Sequence, residues 1–312
     1  MKWIYLCLTF FILLPACKQK NSLAPIEGFI HLKEGKVWYK IVGTGNKTPL
    51  LLLHGGPGLP SYYLNSMAAL GDDRPIIFLD QLGCGRSDRD IDSSLLNVDS
   101  FVSELKEFTD SLQLTEFYLY GQSWGTMLGM DYYLQYPQGV KAIIFSSPCL
   151  SAPLWQRDAQ NLIKTLPDSI QSVIKINEEN KTFDSPAYQN AVMVYYDHFL
   201  SINKNPSTDR ENSGKNIGLK TYETMWGPSE FTATGNLKNY DRTADLNKIK
   251  VPVLFMCGEF DEAVPATVKY FADRVPGAKF AEVKKSAHLT TIDNPEENNY
   301  IIRRFLQDAD NK

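Results

Sequence analysis

The sequence predicts an α/β fold: a mostly parallel central sheet with a helical cap inserted into it. Three features point there. Short, continuous apolar runs alternate with stretches of helical period, the alternation breaks once in the middle of the chain, and a serine sits between two glycines directly after an apolar run, in "YGQSWGT" (residues 120–126).

Continuous apolar runs are expected of strands buried on both faces, as crossover helices bury a parallel sheet. Phe29 to Lys33 and Val37 to Val42 predict an opening hairpin. Leu50 to Leu53, Ile76 to Leu79, Phe117 to Tyr120, Ala142 to Phe145, Val253 to Met256 and Phe280 to Val283 predict the strands that follow. Val98 to Leu112, Met127 to Tyr136 and Ala266 to Val275 read as helices between them. From Ala152 to Asp241 strand-like runs are scarce and aromatics frequent, among them Tyr195, Tyr196, Phe199, Tyr222, Trp226 and Phe231. "IKVPVLFMCGEFDE" then resumes the sheet. Such an insertion lies as a cap beyond the carboxyl ends of the strands, where open α/β sheets bind ligands. The core is then 28–151 with 242–312, and the cap 152–241.

Composition narrows the partners. The 312 residues are 43% hydrophobic and 22% charged with a formal net charge of −4, enough for a sizeable core and unlike a disordered chain. No basic run offers an electrostatic footprint for nucleic acid, so a small substrate is the expected partner.

At the N-terminus, Lys2 precedes an apolar run from Trp3 to Leu14 and then Pro15, Ala16 and Cys17. That layout suits an export signal over residues 1–17 and is too short to span a bilayer. Leu14-Pro15-Ala16-Cys17 also resembles a bacterial lipobox, with Pro15 departing from the usual pattern. Cys17 is then expected to carry a lipid, residues 18–27 to form a polar tether, and the protein to be exported and anchored to a membrane of the bacterial cell envelope. Of the five cysteines, removal of Cys7 and lipidation of Cys17 leave Cys84, Cys149 and Cys257 at irregular spacing. That is no disulfide framework, and neither cysteines nor histidines pair as zinc ligands do, so no metal or cofactor is expected. Cys149 and Cys257 end apolar runs and read as small buried hydrophobes.

The glycine-flanked serine has a physical reading. G-x-S-x-G between strand and helix is a nucleophile elbow, a turn so tight that side chains at the flanking positions would collide with neighbouring elements. Ser123 is its centre, and the following helix turns its positive end toward developing negative charge. A serine hydroxyl needs a base, and the base an orienting acid. Of four histidines, His31 falls in the opening hairpin, His54 before a glycine loop and His198 in the insertion. His288 alone follows a late strand, as the order serine, acid, histidine requires. "VLFMCGEFDEAVP" supplies the acid. Asp261, a little beyond the Gly258 turn, is the choice, with Glu259 and Glu262 alternatives on spacing. "HGGPG" (54–58) ends an apolar strand where backbone amides can reach a substrate oxygen. Pro57 has no N–H, so Gly56 is the donor, paired with the amide of Trp124.

Taken in order, "HGGPG", "DQLGCGRSD" (80–88), "GQSWG" (121–125), "GPSEF" (227–231) with "TGNLKNYD" (234–241), and "GEFDEAVP" (258–265) resemble the proline iminopeptidases. These are α/β-hydrolases that remove an N-terminal residue, often proline, from peptides. The resemblance runs from about residue 28 to the C-terminus. It implies an α/β-hydrolase fold with a helical cap and places the catalytic acid at Asp261. It also implies that Glu230 and Glu262, with Tyr222, bind the substrate's free amino group. Two carboxylates beneath a cap would attract an ammonium and penalise an internal amide. Thr126 stands where the family commonly has another glycine, which implies slightly wider packing of helix on strand behind the elbow.

The expected function is a serine aminopeptidase acting on peptides with a free N-terminus. The alternatives are a general ester, lactone or amide hydrolase of the same fold, and a catalytically silent, envelope-tethered ligand-binding protein.

Overall fold

The computed structural model describes residues 23–311; the leader, Cys17 and the tether through residue 22 lie outside the described residues. Among the described residues, eight strands form one sheet: β1 (Ile26–Leu32), β2 (Gly35–Val42), β3 (Leu50–Leu53), β4 (Ile76–Asp80), β5 (Phe117–Gln122), β6 (Val140–Ser146), β7 (Val253–Gly258) and β8 (Lys279–Val283). Their spatial order is β1-β2-β4-β3-β5-β6-β7-β8. The hairpin β1–β2 and the pair β2–β4 are antiparallel, and all remaining neighbours are parallel. The first strand begins at Ile26, so the last residues expected in the tether are already paired into the sheet.

Alternation along the strands divides the core into two layers. Leu51 and Leu53 face one and Leu50 and Leu52 the other, which is why a run of four leucines is stable here. The first layer is closed by helices α1 (Val98–Ser111) and α2 (Trp124–Gln135). In α1 the buried Phe101, Val102, Leu105 and Phe108 lie on one face at helical spacing, and Asn97 caps its N-terminus by accepting from the Ser100 amide at 3.0 Å. A 3-10 segment, Ser61–Leu70, and the C-terminal helix close the second layer through Tyr63, Met67, Ile302 and Phe305.

Between β6 and β7 come five helices: α3 (Ala152–Ile163), α4 (Asp168–Asn180), α5 (Pro186–Phe199), α6 (Thr208–Lys215) and α7 (Leu219–Met225). Ser151 and Asp241 bridge at the base of this segment, so it leaves and re-enters the core at one point. It has a small core of its own, around Ile163, Ile174, Tyr188, Tyr195 and Phe231. After β7 follow α8 (Pro265–Ala272), β8, α9 (Thr290–Asp293) and α10 (Pro295–Asp310).

Strand order positions the site. The chain runs from β3 outward to β4 on one side and returns to β5 on the other, so the loops leaving β3 and β5 lie side by side at the point where the winding reverses.

Candidate active site

Ser123 sits between β5 and α2 with φ 52° and ψ −120°, a conformation that costs a non-glycine residue energy and survives only where its surroundings enforce it. The flanking glycines are the enforcement. A Cβ on Gly121 would lie 2.2 Å from the Gly125 carbonyl oxygen, and one on Gly125 would lie 2.3 Å from that of Leu53. The helix therefore packs tightly on the strand, and the wider packing implied by Thr126 is not what is seen. Thr126 is buried, and its hydroxyl donates to the Ser123 carbonyl at 2.6 Å while accepting from the Cys149 amide at 3.1 Å.

His288 follows β8 and is 3% exposed. Its Nδ1–H donates to Asp261 Oδ1 at 2.8 Å. Asp261 is 2% exposed and accepts three further bonds: from the Ser147 hydroxyl at 2.6 Å, the Gly258 amide at 2.9 Å and the Ala263 amide at 2.7 Å. A carboxylate so supplied with donors is held in one orientation, and with it the imidazole. Geometry thus separates the acids that spacing left open. Glu259 turns away and accepts from the Lys285 amide, whereas Glu262 stays 4.0 Å from His288 Nδ1. Ser147, with φ 47°, is a contributor that its place in "FSSPC" does not reveal.

Gly56 and Trp124 line a cleft together with Ser123 and Glu230. The Gly55 amide is taken up by the Tyr63 hydroxyl at 2.8 Å. Among the described residues, the amides of Gly56 and Trp124 have no acceptor. They are the donors a substrate oxygen could use.

The cap supplies the other wall. The Trp155 indole stands edge-on to the His288 ring at 5.5 Å, and its Nε1–H donates to the Glu230 carbonyl at 2.8 Å. Trp226 Nε1–H reaches the same carbonyl at 3.3 Å. Glu230 Oε1 accepts from the Tyr222 hydroxyl at 2.9 Å, and the Glu230 amide donates to the Tyr196 hydroxyl at 3.4 Å. Glu262 is 1% exposed, and among the described residues neither of its carboxyl oxygens has a hydrogen-bond partner. The Tyr195 hydroxyl, equally unpartnered, is near enough to interact with Glu262 electrostatically but makes no well-formed hydrogen bond to it. Burial, reinforced by the charges of Glu230 and Asp261, pushes the Glu262 carboxyl well above its ordinary pKa. Burial raises Glu230 too, opposed by His288 and the Tyr222 hydroxyl. Two acids buried this closely together would be relieved by a cation.

All eight residues singled out in the sequence for catalysis or amine binding therefore surround one cleft or its immediate neighbours. Sequence reasoning left out Trp155, Tyr196, Ser147 and the Phe199 carbonyl, which accepts from the amides of both Glu262 (3.3 Å) and His288 (3.2 Å). Only the abundance of aromatics in the insertion hinted at the first two. Among the described residues no group of three or more metal-ligating side chains is clustered.

Comparison with known proteins places the chain in a family. The family model described as "alpha/beta hydrolase fold" matches residues 48–295. The chain is 45% identical over 282 residues to a proline iminopeptidase of Heyndrickxia coagulans, covering 90% of this chain and 98% of that one. It is 36% identical to a proline iminopeptidase of Lactobacillus acidophilus, covering 91% and 99%. The crystal structure of the proline iminopeptidase of Mycobacterium smegmatis superimposes with a TM-score of 0.84 at 28% identity, covering 91% and 99%. Shared fold, near-complete coverage and this level of identity place the chain among the serine hydrolases, and it belongs to the proline iminopeptidase family of α/β hydrolases.

Proposed function

We propose that the protein is a serine aminopeptidase that releases the N-terminal residue, proline or another small apolar one, from peptides. Ser123 Oγ attacks the first peptide carbonyl while His288 takes its proton, Asp261 orients the resulting imidazolium, and the Gly56 and Trp124 amides hold the oxyanion. His288 passes the proton to the departing amine, leaving an aminoacyl ester on Ser123. Water, deprotonated by His288, then hydrolyses that ester and restores the serine.

One observation favours this over a general esterase: the buried, unpartnered carboxyl of Glu262 beside Glu230. An ester or lactone brings nothing to offset such a group. A free α-ammonium supplies both the charge and the donors, and it anchors the substrate so that only its first peptide bond reaches Ser123. The small cleft walled by Trp155 and Trp226 suits a compact first residue.

Hydrolysis of prolyl- and alanyl-β-naphthylamide, beside their N-acetylated forms, tests the reading. Only the free-amine substrates are expected to be cleaved, with Ser123→Ala abolishing turnover. Equal cleavage of acetylated substrates or simple esters would refute the amino-group site and leave a general hydrolase, and no cleavage by the intact protein would favour the silent binding protein.

The apolar run from Trp3 to Leu14 and the Ala16-Cys17 pair support a further part of the proposal: export, lipidation of Cys17 and anchorage to a membrane of the cell envelope.

A further inference from the structure

The two amides assigned to the oxyanion belong to different crossovers, Gly56 after β3 and Trp124 after β5, so their separation has to be set by something that touches both loops. Gln81, the first residue after β4, is 2% exposed and touches both. Its side-chain Nε2–H donates to the His54 carbonyl at 3.2 Å, and its Oε1 accepts from the Trp124 indole Nε1–H at 2.8 Å. Its backbone N–H donates to His54 Nε2 at 2.9 Å. That bond makes Nε2 an acceptor, so Nδ1 carries the hydrogen and donates to the Gly55 carbonyl at 3.0 Å. Burial holds His54 below its ordinary pKa, in keeping with this neutral tautomer.

We infer that Gln81 is a positioning residue for the oxyanion site, a buried amide that fixes the spacing between the Gly56 and Trp124 N–H groups. This rests on the assignment of those two amides under the proposed function. The side-chain chemistry is specific. A primary amide presents its donor and its acceptor on two separate atoms, one for each loop; a carboxylate would set a second acceptor against the His54 carbonyl, and an alanine would leave a buried carbonyl and a buried indole unpaired. Tyr63 makes a separate link, from the Gly55 amide to Gln122 Oε1 at 2.7 Å, but it ends before the serine. The Gln81 link ends on the residue that carries the second amide.

The test uses the full chain with Gln81→Ala, Trp124→Phe and the double variant, the Phe ring keeping most of the packing while removing the indole N–H. Phenylboronic acid is the probe. Ser123 Oγ adds to boron as its proton passes to His288, and one boron hydroxyl enters the oxyanion site. Gln81→Ala is expected to weaken boronate binding and to lower kcat on prolyl-β-naphthylamide by a similar factor, roughly 10- to 100-fold. That lies at or below the 10²–10³ that a whole oxyanion donor contributes. KM should change less than about threefold. Trp124→Phe should reproduce part of the loss, and the double variant should be no worse than Gln81→Ala alone, because both cut one link. Unchanged boronate affinity in Gln81→Ala, a raised KM with kcat intact, or additive losses in the double variant would each overturn the inference. Should Gln81→Ala fail to fold, Trp124→Phe decides alone: full boronate affinity there refutes the link. Phenylboronic acid has neither an amino group nor a peptide bond, so a protein that cleaves no aminoacyl amide yet shows these losses refutes the aminopeptidase reading and leaves the role of Gln81 standing.

Discussion

Glu262 combines 1% exposure with two carboxyl oxygens that have no hydrogen-bond partner among the described residues, a costly arrangement for a carboxylate. Its pKa is raised in the folded state, so the folded protein binds a proton there that the unfolded chain has already lost. Its stability contribution is therefore full below the ordinary glutamate pKa and disappears as pH rises through the elevated value. Glu262→Gln should accordingly melt at higher temperature than the parent, by a margin that widens with pH. It should also lose roughly 10- to 100-fold in kcat/KM on free-amine substrates, the worth of a charge-assisted contact. A variant that melts lower at alkaline pH, or that keeps its kcat/KM, contradicts this account. Glu104 on α1 separates burial from function. Burial pushes its carboxyl to about 8, while the Leu82 amide donates to Oε1 at 3.0 Å. Glu104→Gln keeps that acceptor. Its stability advantage over the parent should grow between the ordinary glutamate pKa and about 8, by at most about 1.4 kcal/mol per pH unit, and level off above; urea melts across that range measure it.

At the level of elements, the junction of β5 with α2 fixes the site by contact between backbones. Gly125 faces the last carbonyl of β3, and a Cβ there would meet it at 2.3 Å, with no flexible side chain to yield. Gly125→Ala should cost roughly 1–3 kcal/mol, as overpacked cores do, and lower kcat more than it raises KM by displacing the strained serine. Denaturant melts and initial rates check both, and a stable, fully active variant would show that the junction is looser than these distances imply. Placed on the same elbow, Thr126 shows that a departure from family pattern can be absorbed: its hydroxyl satisfies a carbonyl and an amide at once.

For the whole molecule, the cap completes the amine site proposed above. Glu230 and Tyr222 come from the segment between β6 and β7, and Glu262 from the loop after β7, so the two carboxyls meet only when the insertion folds back over the strand ends. The same arrangement covers His288 with the Trp155 ring. On the scale of the cell, the proposed lipidation of Cys17 predicts that Cys17→Ser moves activity from the membrane fraction to the soluble one. Activity that is soluble before the substitution, or membrane-bound after it, would contradict the anchor.

Strand positions, the place of the insertion and the candidate pair Ser123 and His288 were legible in the amino-acid sequence because each depends on short-range chemistry. Apolar alternation sets which runs are buried, glycines flank a turn too tight for side chains, and one histidine alone stands late beyond a strand. The acid was different. Spacing favoured Asp261 but left Glu259 and Glu262 open, and it is the fold that turns Glu259 outward, places Asp261 against His288 Nδ1 and leaves Glu262 buried without a hydrogen bond among the described residues. Ser147, Trp155 and Gln81 are likewise invisible along the chain, since each works through partners 27 to 141 residues away. Which residues can do chemistry is a property of side chains and their near neighbours. Which of them do it together is decided by long-range packing, where burial sets the cost of every unpaired polar atom and the meeting of distant loops determines which partners can relieve it.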